Sequence, residues 1–192
     1  MKQTKHNRRH IFLTGPPRIG KTTIVLRVIE ELKFKGAKIG GMISQEILEG
    51  KIRVGFKIID LETNREGLLA HVKQRNGPRV GKYRVCLKDL NEIGAKAILR
   101  ACKRANLIVI DEIGPMELYS KEFKGAVLEA LNSDKIVLGT IHYRARTAFI
   151  DSIKKREDIN LIEVTYSNRN KLPEIIVREI MKRIGERGGE DN

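Results

Sequence analysis

A chain of 192 residues with 41% hydrophobic and 32% charged residues has room for one sizeable core and the composition of a soluble globular protein, so a single α/β domain is expected rather than a disordered chain or two domains. Its 38 basic residues outnumber 24 acidic ones, which suits polyanionic partners such as nucleotides or nucleic acid, and equally the Lys-, Arg- and Glu-rich surface of a thermophile protein. No apolar run approaches the roughly 20 residues that span a bilayer. The basic start is followed only by Ile11–Leu13, too short for a signal-peptide core, so a cytoplasmic location and no membrane partner are expected. Cys86 and Cys102 make no disulfide framework, and His6, His10, His71 and His142 have no zinc-ligand spacing.

Residues 10–14 read as a short buried strand that stops at Gly15. Lys21 to Phe34 follows helical period, with Ile24, Val28 and Leu32 on one stripe and Gly36 as its stop. A second strand spans residues 38–44. From Gly50 the period becomes two: Ile52, Val54, Phe56 and Ile58 alternate with other residues, a turn follows at 62–64, and residues 67–72 return. Residues 79–85 are short and strand-like. Residues 45–85 therefore read as an antiparallel, basic insert; nine of the residues from 51 to 85 are basic and three acidic. Helical period resumes over 89–104, and Leu107–Ile110 is a continuous apolar run of the kind a central parallel strand shows. A helix near 121–131, a strand at 135–140, a weaker helix near 144–155, a strand at 161–165 and a helix from Leu172 to Ile184 complete the alternation. Residues 186–192 are expected to form a flexible tail. Strands alternating with helices imply a mostly parallel sheet with right-handed crossovers.

Gly15-Pro16-Pro17-Arg18-Ile19-Gly20-Lys21-Thr22 fits G-x-x-x-x-G-K-[ST] without mismatch, between a strand and a helix. The glycines let backbone N–H groups turn inward onto phosphate oxygens, and the helix adds its positive end. Lys21 is the expected contact to the β- and γ-phosphates, the Thr22 hydroxyl an expected Mg²⁺ ligand, and Thr23 in the first turn a further expected nucleotide-binding residue. Mg²⁺ also needs an acid at the tip of a buried strand; Asp111 has that place. Glu112 directly after it is the candidate general base for an attacking water. Glu117 is expected near the rim of the site. If residues 135–140 neighbour Leu107–Asp111, Thr140 and His142 lie near the γ-phosphate.

The phosphate loop, Asp111-Glu-Ile-Gly-Pro-Met-Glu-Leu118, Gly55–Glu62, Val80–Val85 and Asn168-Arg169 together resemble the THEP-type P-loop nucleoside-triphosphatases, relatives of the human cancer-related nucleoside triphosphatase, over about residues 10–185. The resemblance implies a RecA-like fold and Mg²⁺-dependent hydrolysis of ATP, GTP, CTP and UTP or TTP with little base preference. The nucleotide-binding set it implies takes in the phosphate loop, then Leu107, Ile108, Val109, Ile110, Asp111, Glu112, Ile113 and Gly114, with Asn168 beside the base. This chain has Val80-Gly-Lys-Tyr83 where the family has Val-Gly-Arg-Tyr, so Lys82, Arg84 or Arg79 takes the place of a γ-phosphate finger. It also has His142 where the family has proline.

In this reading the basic insert closes over the phosphates of a monomeric NTPase. One alternative is a small-molecule or polynucleotide kinase whose lid is built from Arg144, Arg146, Lys154, Lys155 and Arg156. Another is a nucleotide-gated nucleic-acid-binding protein that uses the basic segments as its footprint.

Overall fold

The computed structural model describes residues 8–188. Their strands form one nine-stranded sheet in the order β5-β6-β4-β3-β2-β7-β8-β1-β9. β1 (His10–Thr14), β7 (Leu107–Ile113), β8 (Ile136–Ile141), β9 (Ile159–Glu163) and the first half of β2 (Ile39–Glu49) run parallel. β3 (Ile52–Asp60), β4 (Glu66–His71), β5 (Arg79–Val80) and β6 (Tyr83–Val85) continue the same sheet antiparallel beyond β2. The antiparallel segment expected at 45–85 is present and extends the same sheet as a lateral wing. β2 runs unbroken past Ser44, and its outer half is the wing's first strand.

The strands of the parallel half are apolar on both faces because helices cover both, and residue parity divides the core. Ile11, Leu13, Leu107, Val109, Ile136 and Leu138 pack with Val25, Val28 and Leu32 of α1 (Lys21–Phe34) and Ile176 and Ile180 of α6 (Leu172–Gly188). Phe12, Ile108, Ile110 and Val137 face the opposite layer. That layer is built from a helical run in three parts, α2 (Leu87–Asp89), a π-helical turn at Leu90–Ala95 and α3 (Lys96–Arg104), and from α4 (Lys121–Asn132) and α5 (Ala148–Lys154).

Several boundaries differ from the sequence expectation for identifiable reasons. β7 extends to Ile113, so Glu112 sits on the strand rather than after it, and Asp111 within the strand rather than at its tip. α5 begins at Ala148 because Thr147 is extended and its hydroxyl accepts from Ile150 N, capping the helix there. β9 begins and ends two residues before the expected 161–165. α6 carries on to Gly188, past the expected stop at Ile184 and into the expected tail; residues 189–192 of that tail lie outside the described residues. No helix among the described residues is long and apolar enough to cross a membrane.

Candidate active site

The loop between β1 and α1 takes its shape from two glycines in left-handed backbone, Gly15 with φ 139° and Gly20 with φ 109°. At Gly15 a Cβ would also meet the Val164 carbonyl at 2.8 Å, so the loop rests directly on the chain leaving β9. Pro16, Pro17, Arg18 and Thr23 are exposed, and Lys21 and Thr22 half-buried. Ile19 is buried and anchors the loop in the α1-side core. The first turn of α1 holds no acidic residue, so its positive end is left for an anion. The Lys21 ammonium bridges the loop, donating to the Gly15 carbonyl at 3.0 Å and the Pro16 carbonyl at 3.2 Å.

Strand parity delivers the acid. Asp111 shares the face of Leu107 and Val109, which is the α1 face, and Thr140 shares the face of Ile136 and Leu138. The two meet: Thr140 Oγ1 donates to Asp111 Oδ1 at 2.6 Å. Thr140 thus reaches the carboxylate itself. Burial pushes Asp111 up to about 6, with the Glu112 charge adding to it; the hydroxyls of Thr140 and Thr22 and the Lys21 ammonium pull the other way. Its Oδ2 is buried without a hydrogen-bond partner. An orphaned anionic oxygen beside a threonine hydroxyl fits a divalent cation. Carboxylate and hydroxyl oxygens are donors of the kind Mg²⁺ takes, while no cluster of three His, Cys, Asp or Glu ligands stands among the described residues.

Glu112 is also raised by burial, and Lys21 opposes that rise. Glu117 is not at the rim but buried, at 4% exposure, where its Oε2 accepts from Gly114 N at 3.1 Å. Burial and the neighbouring Glu112 charge push it up to about 8. A Cβ on Gly114 would meet Glu117 Oε2 at 3.1 Å and Glu112 Oε1 at 3.4 Å, so the two side chains flank this glycine. Its sequence neighbours gave no sign of that burial, because a short 3₁₀ turn, Glu117–Tyr119, folds the carboxyl inward. His142 stands after β8, its Nδ1 accepting from Ala145 N at 2.9 Å. Burial lowers its pKa, and Lys21 lowers it further. An accepting Nδ1 leaves Nε2 as the ring nitrogen free to donate.

Other expected residues do not join the site. Leu107, Ile108, Val109, Ile110 and Ile113 are fully buried core side chains, as a strand covered on both faces requires; of that set Asp111 and Glu112 feel the Lys21 charge, and Gly114 lies against Glu112 and Glu117. Arg79 donates to the Gly81 carbonyl, Arg84 to the Gly77 carbonyl, and the Lys82 ammonium lies 5.4 Å from the Tyr83 ring centroid, so all three find partners inside their own hairpin. β4, β3 and β2 separate that hairpin from β7. The Asn168 amide closes its own turn, accepting from Thr165 N and donating to the Glu163 carbonyl. Of the expected lid, Lys154 is tied to the carbonyls of His142 and Tyr143, and Arg156 to Asp158, Asn132 and Leu131.

The model of a protein family described as NTPase matches residues 10–177. The chain belongs to this family. It is 52% identical over 173 residues to the nucleoside-triphosphatase THEP1 of Thermofilum pendens, covering 90% of this chain and 95% of that protein. It is 44% identical to the THEP1 of Methanocaldococcus jannaschii, over 89% of this chain and 96% of that one. Two solved NTPase-family structures superpose with a TM-score of 0.78: THEP1 from the hyperthermophile Aquifex aeolicus, 30% identical, and a human cancer-related nucleoside triphosphatase, 35% identical. They align with 89% and 91% of this chain respectively, and with 98% of each of theirs.

Proposed function

We propose that the protein hydrolyses nucleoside triphosphates to the diphosphate and inorganic phosphate, with Mg²⁺ and with low base specificity. The observation that carries this reading is the pairing of an orphaned buried carboxylate oxygen on Asp111 with a second, burial-raised carboxylate on Glu112, both under the influence of Lys21. Membership of a family whose relatives are named nucleoside-triphosphatases supports it.

Lys21 exchanges its two loop carbonyls for β- and γ-phosphate oxygens, while the loop amides and the α1 terminus hold the rest of the triphosphate. Thr22 and Asp111 are the residues that would hold Mg²⁺. When bound, the ion neutralises charge on the phosphate oxygens. Thr140 keeps the Asp111 carboxylate aimed by its hydrogen bond. Glu112 orients a water toward the γ-phosphorus and takes its proton as the new P–O bond forms. The bond to the β-phosphate oxygen breaks, and the nucleoside diphosphate leaves with that oxygen's charge. A raised Glu112 pKa makes it a better proton acceptor than an ordinary surface carboxylate.

Phosphate release from ATP, GTP, CTP and UTP, with and without Mg²⁺ and with no acceptor alcohol present, tests the proposal. Release from all four only with Mg²⁺ is expected. Nucleotide binding without release would overturn hydrolysis and favour group transfer to an acceptor.

A further inference from the structure

Beyond the phosphates, the structure points to where the base sits. Asp111 and Glu112 fix the γ-phosphate end of a bound triphosphate on the β7 side of the phosphate loop. In the sheet β1 lies between β8 and β9, with β7 beyond β8. A triphosphate with its γ-end toward β7 therefore leads its nucleoside the other way, over the carboxyl end of β9. That end touches the loop: Val164 N donates to the Thr14 carbonyl at 2.8 Å, and the Val164 carbonyl closes against Gly15.

Two residues further on stands Tyr166, 77% exposed, one of the few large apolar side chains left in solvent. The Arg169 guanidinium lies 4.9 Å from its ring centroid, so one face of the ring is covered by a cation. The turn between them is closed by its own hydrogen bonds. Asn168 spends both ends of its amide on backbone, and the Thr165 and Ser167 hydroxyls lie 2.9 Å apart in a hydrogen bond to each other. The segment thus offers a flat π surface and a planar cation next to the phosphate loop.

We propose that Tyr166 and Arg169 form a stacking platform for the nucleobase of a bound nucleoside triphosphate. The platform rests on the hydrolase reading above and deepens it. Every base has a π face, so stacking holds purines and pyrimidines alike. Low base specificity then follows from holding the base by its face, which all bases share, rather than from a loose phosphate site. Asn168 acts as a positioning residue that shapes the turn.

The chain contains no tryptophan, so Tyr166→Trp installs a single indole reporter at the platform. Its emission should change on adding Mg-ATP or Mg-UTP and stay constant with Mg-tripolyphosphate, which has the phosphates and no base. Tyr166→Ala should weaken ATP about tenfold, the scale of a lost base–aromatic stack, and UTP by less, with tripolyphosphate affinity unchanged. Tyr166→Phe should bind ATP as the parent does. If Tyr166→Ala binds ATP as tightly as the parent protein, or weakens tripolyphosphate by the same factor as ATP, the platform is wrong while the hydrolase reading stands. If the parent binds tripolyphosphate but gains nothing from a nucleoside, the platform is likewise wrong. If it binds neither ATP nor tripolyphosphate, the nucleotide reading itself fails.

Discussion

The two halves of the sheet carry charge in opposite ways. In the antiparallel wing, cations are numerous and satisfied: Lys57 pairs with Glu66, Lys73 with Glu49, Arg53 with Glu46 and the Tyr83 hydroxyl, and Arg79 and Arg84 with carbonyls of their own hairpin. Such solvent-screened pairs contribute little to stability. Among the described residues of the parallel half, ionisable groups near the phosphate loop are few and are held by hydrogen bonds to neutral groups or left open, not paired with an opposite charge. Asp111 Oδ2 has no partner, Glu117 is buried beside Glu112, and Lys21 rests on two carbonyls. Density of charge attracts attention in a sequence; charge without an opposite partner marks the chemistry.

That contrast can be broken or sharpened by substitution. Lys21→Ala should lower turnover by about 10²–10³-fold, the scale of a lost clamp on a transferring phosphoryl group. A variant within a few-fold of the parent would show that the bridge across the loop is structural. Asp111→Asn keeps the shape and the Thr140 contact but loses the charge. It should raise the Mg²⁺ concentration for half-maximal turnover about 10–100-fold. It should also raise the melting temperature of the metal-free protein at alkaline pH, because an unpaired buried charge is gone. A lower melting temperature would mean that the orphan oxygen has a partner. Lys82→Ala and Arg84→Ala should each cost less than about tenfold in turnover, because their partners lie in their own hairpin. A loss near 10³-fold, the size of an arginine finger's contribution, would mean that the hairpin closes over the phosphates.

Glu117→Gln should have the smallest effect on turnover, since an amide oxygen can still accept from Gly114 N. Its signature is in stability. A carboxyl whose pKa rises from 4.5 to about 8 on folding binds more protons folded than unfolded between those values. The metal-free protein should therefore lose stability as pH rises through that window, by an amount on the order of a few kcal/mol. Glu117→Gln should flatten the slope of melting temperature against pH; an unchanged slope would assign it to other groups. His10 sets the acid side. Burial holds it down at about 4 instead of 6.5, its Nδ1 accepting from Val137 N and its Nε2 bonded to the Leu131 carbonyl. The unfolded chain takes up that proton first, so stability should also fall as pH drops from 6.5 toward 4.

How far the sequence carries depends on whether the signal is local. Gly15–Thr22 folds by its own glycines and helix terminus, and Asp111 follows from parity along an apolar strand, so both are legible in the chain alone. Glu117 is not, because its burial depends on a 3₁₀ turn that packs Met116 and Leu118 against the core. Asn168 misleads for the same reason: its amide suggests base reading, but it satisfies the backbone of its own turn. The lateral wing was legible as antiparallel strands at 52–59 and 67–72. Its continuity with β2 was not, since Ser44 to Glu49 lacks the apolar run of a buried strand and pairs only at the wing side.

Glu112 bears the central claim most directly, and Glu112→Gln tests it with two readings on one sample: nucleotide affinity, and phosphate release in a single turnover with Mg-ATP. The account predicts affinity close to that of the parent protein and release slowed about 10²–10⁴-fold, the contribution of a general base. Release at the parent rate would contradict it, and would remove Glu112 from the chemistry.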